Sequence, residues 1–376
     1  MVADVATTTR RRRVAAGAVC GLAAGAFAFG VALSDRSPPR PGVVSGLPAG
    51  QLVGQRIVLG FAGTRPSARV ERMIDAGEVA GVILFADNIP SRSAGRRLIR
   101  RLQAIPRPTG LRDPLLVMTD QEGGLVKRIE GAPTASARTM GARGAAFSAA
   151  QGRRTAAGLR RVGVNVDLAP VLDVARPGGM IAEADRGFGS TAASVEASAI
   201  PFAAALQAGG VGATGKHFPG LGSARLNTDD AAQRIGLSRS TLREVDESPY
   251  KRFAGVGGDL VMLSTAIYPA LSPRPAAFSP PIATDELRDR IGFEGVSITD
   301  ALDTVAVSAF GDPAEVATAA AHAGTDLLLY TNPNEAADAH RVLLHQLRSG
   351  TLPRSTFEES VQRVLSLRHE LKSQSG

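Results

Sequence analysis

The chain has 376 residues, 44% of them hydrophobic, which is enough for one large domain or two ordinary ones; its 42 glycines and 23 prolines are spread along the chain and suit many short turns rather than disorder. Of the formal charge of +8, residues 1–40 supply +4 (six arginines less Asp4 and Asp35), and with no tryptophan and 4% aromatic residues the remainder offers no stacking platform for nucleic acid. The single cysteine, Cys20, leaves the folded part without a disulfide or a thiol nucleophile.

At the N-terminus, Arg10 to Arg13 precede an apolar run from Val14 to Leu33. This is the pattern of an export signal, or of a marginal membrane span oriented by its arginines. Ala26-Phe27-Ala28 resembles a signal-peptidase site, yet the apolar run continues past it, so residues 1–33 read as either a cleaved signal peptide or a retained anchor. The arginine cluster also suits a twin-arginine route, and Cys20 reads as a small apolar residue of the run. Either way the rest of the chain is expected outside the cytoplasm, extracellular or anchored at the cell envelope, touching membrane only through this segment. Residues 34–46, SDRSPPRPGVVSG, read as a stiff Pro-rich linker, and the folded part is expected over residues 47–376.

From there short apolar runs alternate with amphipathic stretches. The predicted strands are Arg56–Phe61, Gly81–Phe85, Leu115–Thr119, Val164–Leu168, Val211–Gly215, Leu260–Ser264, Gly295–Thr299 and Asp326–Tyr330. Helical patterns lie between them, among them SRSAGRRLIRRLQAI, AAQGRRTAAGLRRVG and STLREVDESPYKRFAG, several opened by a Ser, Thr or Asp N-cap. Strands that are continuously apolar rather than alternating belong in a parallel sheet buried on both faces. The expected fold is therefore an α/β single domain, a (β/α)8 TIM-type barrel, with a doubly wound open sheet as the rival.

A barrel demands that polar residues ending its strands converge on one face. Asp87 and Asn88, Asp120 and Glu122, Asp173, Lys216 and His217, and Asp300 all follow predicted strands. Asp87 and Asn88 equally suit a turn. Gly210, Gly212 and Gly215 spell G-x-G-x-x-G, but the motif starts a strand and runs into Pro219 instead of opening a helix, so it reads as close packing rather than a dinucleotide site. No P-loop and no metal-ligand cluster is evident, and no cofactor is expected.

The LFADN turn, TDQEGG with Lys127 and Arg128, GVNVDLAPVLDV, ADRGFGS, GKHFPG, VMLSTAIYP and GFEGVSITDAL, in this order across residues 50–370, resemble the single-domain β-N-acetylhexosaminidases of glycoside hydrolase family 3. Retaining hydrolysis of a glycosidic bond needs a carboxylate beneath the anomeric carbon and an acid beside the leaving oxygen. Asp300, ending a buried strand, is the expected nucleophile, the role this position has in the family. Asp120 can accept hydrogen bonds from adjacent sugar hydroxyls, and Lys216 and His217 supply partners for others. By the same resemblance Arg128 and Arg186 line the sugar cup. Leu125 stands where relatives often carry arginine, which implies a missing contact beyond the first sugar.

The resemblance breaks after KHFPG. Relatives carry an Asp-Ser-His element whose histidine is the general acid and base; here the place reads Asn227-Thr228-Asp229, and Leu221 replaces a frequent histidine. His322, His340, His345 and His369 all lie in late helical patterns. Asp229, or its neighbour Asp230, can donate the proton if its surroundings raise its pKa. The other readings are assistance by water or by the substrate's acetamido group, or a silent wall-glycan binder. The expected partner is an N-acetylglucosamine-containing carbohydrate such as a peptidoglycan fragment; an unmodified hexose, as in two-domain β-glucosidases of the family, is the alternative substrate.

Overall fold

The structure is a computed structural model and describes residues 42–374. The segments read as signal or anchor and most of the Pro-rich linker lie outside the described residues. The linker reading ran too far, because Gly42–Ser45 is already a short helix. Val44 is buried, and Arg354 donates to the carbonyls of Ser45 and Leu47, so ordered packing begins before Leu47.

Among the described residues ten strands run in chain order: β1 Ile57–Leu59, β2 Gly81–Ile83, β3 Leu116–Thr119, β4 Gln121–Gly123, β5 Val126–Lys127, β6 Val166–Asp167, β7 Gly212–Phe218, β8 Leu260–Leu263, β9 Val296–Thr299 and β10 Leu328–Tyr330. Eight form one parallel sheet in the order β10-β1-β2-β3-β6-β7-β8-β9. The Leu327 N–H donates to Ser297 O and the Thr299 N–H to Leu327 O, both at 2.9 Å, which joins β9 to the approach of β10 and closes the ring. The barrel expectation holds and the open-sheet rival does not. The strands stay parallel because a helix-bearing crossover separates each from the next. The short antiparallel hairpin β4–β5, which the apolar pattern gave no reason to expect, follows directly from β3.

Strand residues divide between two apolar layers with the period of two that a pleated strand imposes. Val58, Leu116, Met118, Val166, Leu260, Met262, Val296 and Ile298 form one cluster with Val364, Leu367 and Leu371 of the last helix, Arg354–Ser373. That cluster fills the barrel and is sealed at the strands' N-terminal end. Their neighbours Ile57, Leu59, Val82, Val117, Val261 and Leu263 pack with the surrounding helices. The seal is also polar: buried Arg368 donates to the carbonyls of Leu111 and Pro114 and to Gln55, just before β3 and β1, while Arg363 pairs with buried Asp326 before β10 at 2.9 Å.

Helix starts follow their caps. Ser91 accepts from the N–H of Ala94 to open Arg92–Ala104, and Asp312 forms a capping box with Glu315 to open Pro313–His322. The stretch from Ser240 to Gly255, read as one helix, is broken: a π-helical turn over Leu242–Asp246 precedes the helix Ser248–Ala254. Pro249 has no N–H to continue the ladder, so the second helix starts afresh with Pro249 in its first turn.

Candidate active site

The C-terminal ends of β3, β7 and β9, the hairpin after β3 and the loops after β6, β7 and β9 carry the candidate residues. β7 runs further than its apolar pattern predicts and takes Lys216 and His217 into the strand; the Lys216–His217 peptide is cis. Gly215 lies where a Cβ would come within 2.6 Å of Leu172, so this glycine of the motif serves close packing, while Gly210 has φ +75. Beyond the strand, Gly220 has φ +139, and a Cβ there would stand 2.7 Å from the Asp246 side chain. Only glycine turns the chain at that point.

Lys216 is the centre of the polar array. Its Nζ donates to Asp120 Oδ1 at 2.7 Å and lies 2.7 Å from Glu122 Oε1. Arg186 closes on the same Glu122 with a two-pronged pair, Nε to Oε2 at 2.9 Å and Nη2 to Oε1 at 2.8 Å. Arg128 stands back, its Nη2 4.0 Å from Asp120 Oδ2 and its Nε without a partner. Burial opposes the Glu122 charge, but Lys216 and Arg186 outweigh it and hold its carboxyl down at about 2. Burial likewise works against the Lys216 charge, and Asp120 and Glu122 overcome it, so the ammonium is firmly held.

His217 belongs to a second unit. Its Nδ1 lies 2.8 Å from Asp173 Oδ2, while Asp173 Oδ1 accepts from the N–H of His217 at 3.2 Å and of Leu221 at 2.6 Å. Asp173 is fully buried, so one carboxylate sets both the ring and the backbone of the turn. A proton on Nδ1 directed at Asp173 leaves Nε2 of the neutral ring as an acceptor.

Asp300 directly follows β9. Its N–H donates to Leu263 O at 3.0 Å and its Oδ1 accepts from the N–H of Ala301 at 2.9 Å, which restricts the side chain. Asp229 sits in the loop after β7. Its Oδ2 accepts from Asn227 Nδ2 at 3.1 Å, and its N–H donates to Asn227 Oδ1 at 3.2 Å. Water reaches this side chain, yet desolvation by the surrounding protein, followed by the charge of the Asp300 carboxylate, raises its pKa above the usual carboxylate range. Asn227 and His217 pull the other way and are outweighed.

Asp120, Lys216, Arg128 and Arg186 thus come together through shared carboxylates, while Asp229 is tied electrostatically to Asp300 and His217. Asp87 and Asn88 do not join them. Asn88 donates to Phe61 O and Gly63 O, and Asp87 accepts from the Gly63 N–H, so the pair clamps the loop after β1. Three participants were absent from the expected set. Glu122 and Asp173 were noted only as following strands, and their role as hubs for two or three donors comes from tertiary placement. Asp167 gave no signal beyond lying in an apolar strand. It is fully buried, accepts from the Gln121 N–H at 3.0 Å through Oδ1, and has no partner for Oδ2. Burial drives its carboxyl pKa well up. Among the described residues, no group of three or more His, Cys, Asp or Glu is placed to hold a metal ion.

Residues 49–367 match the family model of the glycosyl hydrolase family 3 N-terminal domain. A protein of Arthroderma benhamiae named as an uncharacterized secreted glycosyl hydrolase is 37% identical over 85% of this chain and 93% of its own length. The beta-hexosaminidase of Alkalilimnicola ehrlichii is 35% identical over 77% of this chain and 83% of its own. The crystal structure of a beta-N-acetylhexosaminidase from Beutenbergia cavernae superposes with a TM-score of 0.80 at 31% identity, covering 86% of this chain and 99% of that one. The barrel, the charged array at its C-terminal end and these likenesses agree: the chain belongs to glycoside hydrolase family 3.

Proposed function

We propose that this protein is a retaining β-N-acetylhexosaminidase that removes β-linked N-acetylglucosamine from peptidoglycan fragments or related glycans outside the cytoplasm. The names of the hexosaminidase relatives support the sugar, and the secreted relative together with the arginine-led apolar N-terminus supports export. No helix among the described residues is long and apolar enough to cross a membrane.

In this reading the Asp300 carboxylate attacks the anomeric carbon as the bond to the leaving oxygen breaks, and protonated Asp229 delivers its proton to that oxygen. Ionised Asp229 then takes a proton from water, which attacks the glycosyl-enzyme and frees Asp300. Asp120 Oδ2, not engaged by Lys216, accepts from a sugar hydroxyl; Lys216, Arg128, Arg186 and His217 complete the cup. Arg186 acts partly through Glu122, which it holds in place.

The observation that carries the proposal is the array of Asp120, Lys216, Glu122 and Arg186 at the C-terminal end of the barrel beside Asp300; Asp229 is assigned as the acid because it lies in the loop after β7 and has its pKa raised by desolvation and by Asp300. A group that must arrive protonated beside an ionised partner needs that shift. The test is turnover of aryl N-acetyl-β-glucosaminide and aryl β-glucoside by wild type, Asp300→Ala and Asp229→Ala. Expected are a preference for the N-acetylated sugar, near-complete loss in Asp300→Ala and a loss of roughly 10²–10⁴-fold in Asp229→Ala. Wild type no faster than Asp300→Ala makes the protein a silent glycan binder, glucose preference makes it a glucosidase, and normal turnover in Asp229→Ala removes Asp229 as the acid.

A further inference from the structure

Charge is not spread evenly over the barrel. Residues 92–161 hold fifteen Arg and Lys against four Asp and Glu, whereas residues 162–376 hold eighteen against twenty-five. The excess is concentrated on two helices, Arg92–Ala104 and Ala145–Val162, which contain nine arginines between them and no Asp, Glu or Lys. All nine arginines are exposed. The two helices lie side by side. A Cβ on Gly95 would stand 3.1 Å from Val162 Cγ1, and one on Gly163 2.8 Å from Ile99 Cγ2, so the helices meet where Arg96 and Arg100 on one and Arg161 on the other adjoin the contact in sequence. Leu98, Ile99, Leu102, Leu159 and Val162 bury the inner faces in one core, which leaves the arginines in water.

Arg101 pairs with Glu71 at 2.7 Å, and Arg160 donates to Gly209 O. Among the described residues the side chains of Arg96, Arg97, Arg100, Arg153, Arg154 and Arg161 have no ion pair or hydrogen bond. Several other exposed arginines stand beside acids, as Arg138 does with Asp185, Arg341 with Asp338 and Arg354 with Glu358. Like charges four residues apart, such as Arg96 with Arg100 and Arg97 with Arg101, repel one another and weaken the helix that bears them. A ligand of opposite charge relieves that repulsion.

The kind of ligand follows from the residue types. Arginine to the exclusion of lysine suits phosphate, which a guanidinium grips with two parallel hydrogen bonds. Neither helix exposes a large apolar or aromatic side chain, so nothing on this face would enter a bilayer or stack on a base. Helices around a barrel make a convex wall, which a flexible chain can follow and a flat lipid surface meets only along a strip. The face also starts at the site. Arg92 donates from Nε at 2.9 Å and Nη2 at 2.6 Å to Glu130 O, just past the hairpin that carries Glu122 and Lys127. From there Arg92–Ala104 runs about 20 Å along the barrel wall at about 1.5 Å per residue.

We propose that the arginine face of Arg92–Ala104 and Ala145–Val162 is a docking surface for a flexible phosphodiester polymer of the cell envelope, which holds the barrel in the envelope with the mouth of the site beside it. This adds a partner to the exported glycosidase read above and takes from that reading only the location outside the cytoplasm.

The test is binding of the full chain to poly(glycerol phosphate), phosphatidylglycerol vesicles, polyglutamate and duplex DNA. Two variants of equal net charge are compared with wild type. The first combines Arg96→Gln, Arg97→Gln, Arg100→Gln, Arg154→Gln and Arg161→Gln; the second combines Lys251→Gln, Arg252→Gln, Arg274→Gln, Arg341→Gln and Arg348→Gln, exposed cations outside the face. At about 50 mM salt the first is expected to bind poly(glycerol phosphate) at least about tenfold more weakly and the second less than about threefold more weakly, and about 200 mM salt should weaken wild type by a larger factor than the first variant. Turnover of a soluble aryl glycoside should be the same in all three proteins. No binding of the polymer, equal loss in both variants, or arginine-dependent binding that is tighter to vesicles, polyglutamate or DNA overturns the proposal. A protein that binds the polymer through these arginines but turns over no glycoside loses the glycosidase reading and keeps the docking surface.

Discussion

Glu122→Gln tests the electrostatic design of the site most directly, because it removes one charge and almost no volume. Glu122 is buried, Lys216 Nζ and Arg186 Nη2 both approach its Oε1, and Arg186 Nε donates to its Oε2. Its carboxyl titrates at about 2 instead of 4.5, a difference of about 2.5 units. At about 1.4 kcal/mol per unit, the folded state favours the charged form by about 3 kcal/mol. The substitution forfeits that amount and leaves Lys216 with Asp120 as its remaining paired carboxylate and Arg186 with no paired carboxylate, within the range of about 3–5 kcal/mol for a broken buried pair. Denaturant unfolding at pH 7 is expected to show this gap. Since the folded pKa is depressed, the stabilisation is complete above about 4.5 and is lost as pH falls through about 2. Between pH 7 and 3 the gap between wild type and variant should shrink by about 2 kcal/mol, while carboxylates common to both proteins cancel. A gap below about 1 kcal/mol at pH 7, or one that stays constant down to pH 3, refutes the argument.

Two further outcomes follow from the other perturbed carboxyls. Asp229 must be protonated for the first chemical step, so kcat/KM should decline as pH rises through its raised pKa; Asp229→Asn should remove that alkaline limb and slow alkyl glycosides more than aryl glycosides with acidic phenols, and an unchanged limb would assign it to another group. Asp167 has its pKa raised by burial, so its ionisation works against folding as pH rises; Asp167→Asn, which removes that charge at almost constant volume, should be as stable as wild type or more stable in urea at pH 7, and a loss above about 1 kcal/mol would mean the carboxylate itself is required.

The barrel was legible because each of its strands is a short run of apolar residues bounded by turn formers, and burial on both faces leaves no alternative pattern. Asp300, Asp120, Lys216 and His217 were legible as polar residues at the ends of such runs. The hairpin Gln121–Lys127 was not, because its pairing depends on Gln121 accepting the N–H groups of Arg128 and Ile129 rather than on any hydrophobic period. The π-helical turn before Pro249 was hidden for the same reason, since a helical period does not reveal which carbonyl each N–H will reach. Asp167 and Asp173 look alike in sequence, each near the end of an apolar run. Three hydrogen-bonding contacts on Asp173 against one on Asp167 separate an anchor for His217 from a carboxyl with an orphan oxygen, and only assembly of the barrel decides that.

The same assembly fixes when folding can finish. Arg56 donates to Asp326 O, 270 residues downstream, and β1 has β10 as one of its two sheet neighbours. The lower layer of the barrel, including Leu116, Leu260 and Val296, is covered by Leu367 and Leu371 of the last helix. Until that helix is synthesised, the first strand lacks a neighbour on one side and the bottom of the barrel is open to water. Contacts of such span form slowly and late. A growing chain of this design is held back from its native state until nearly its whole length exists.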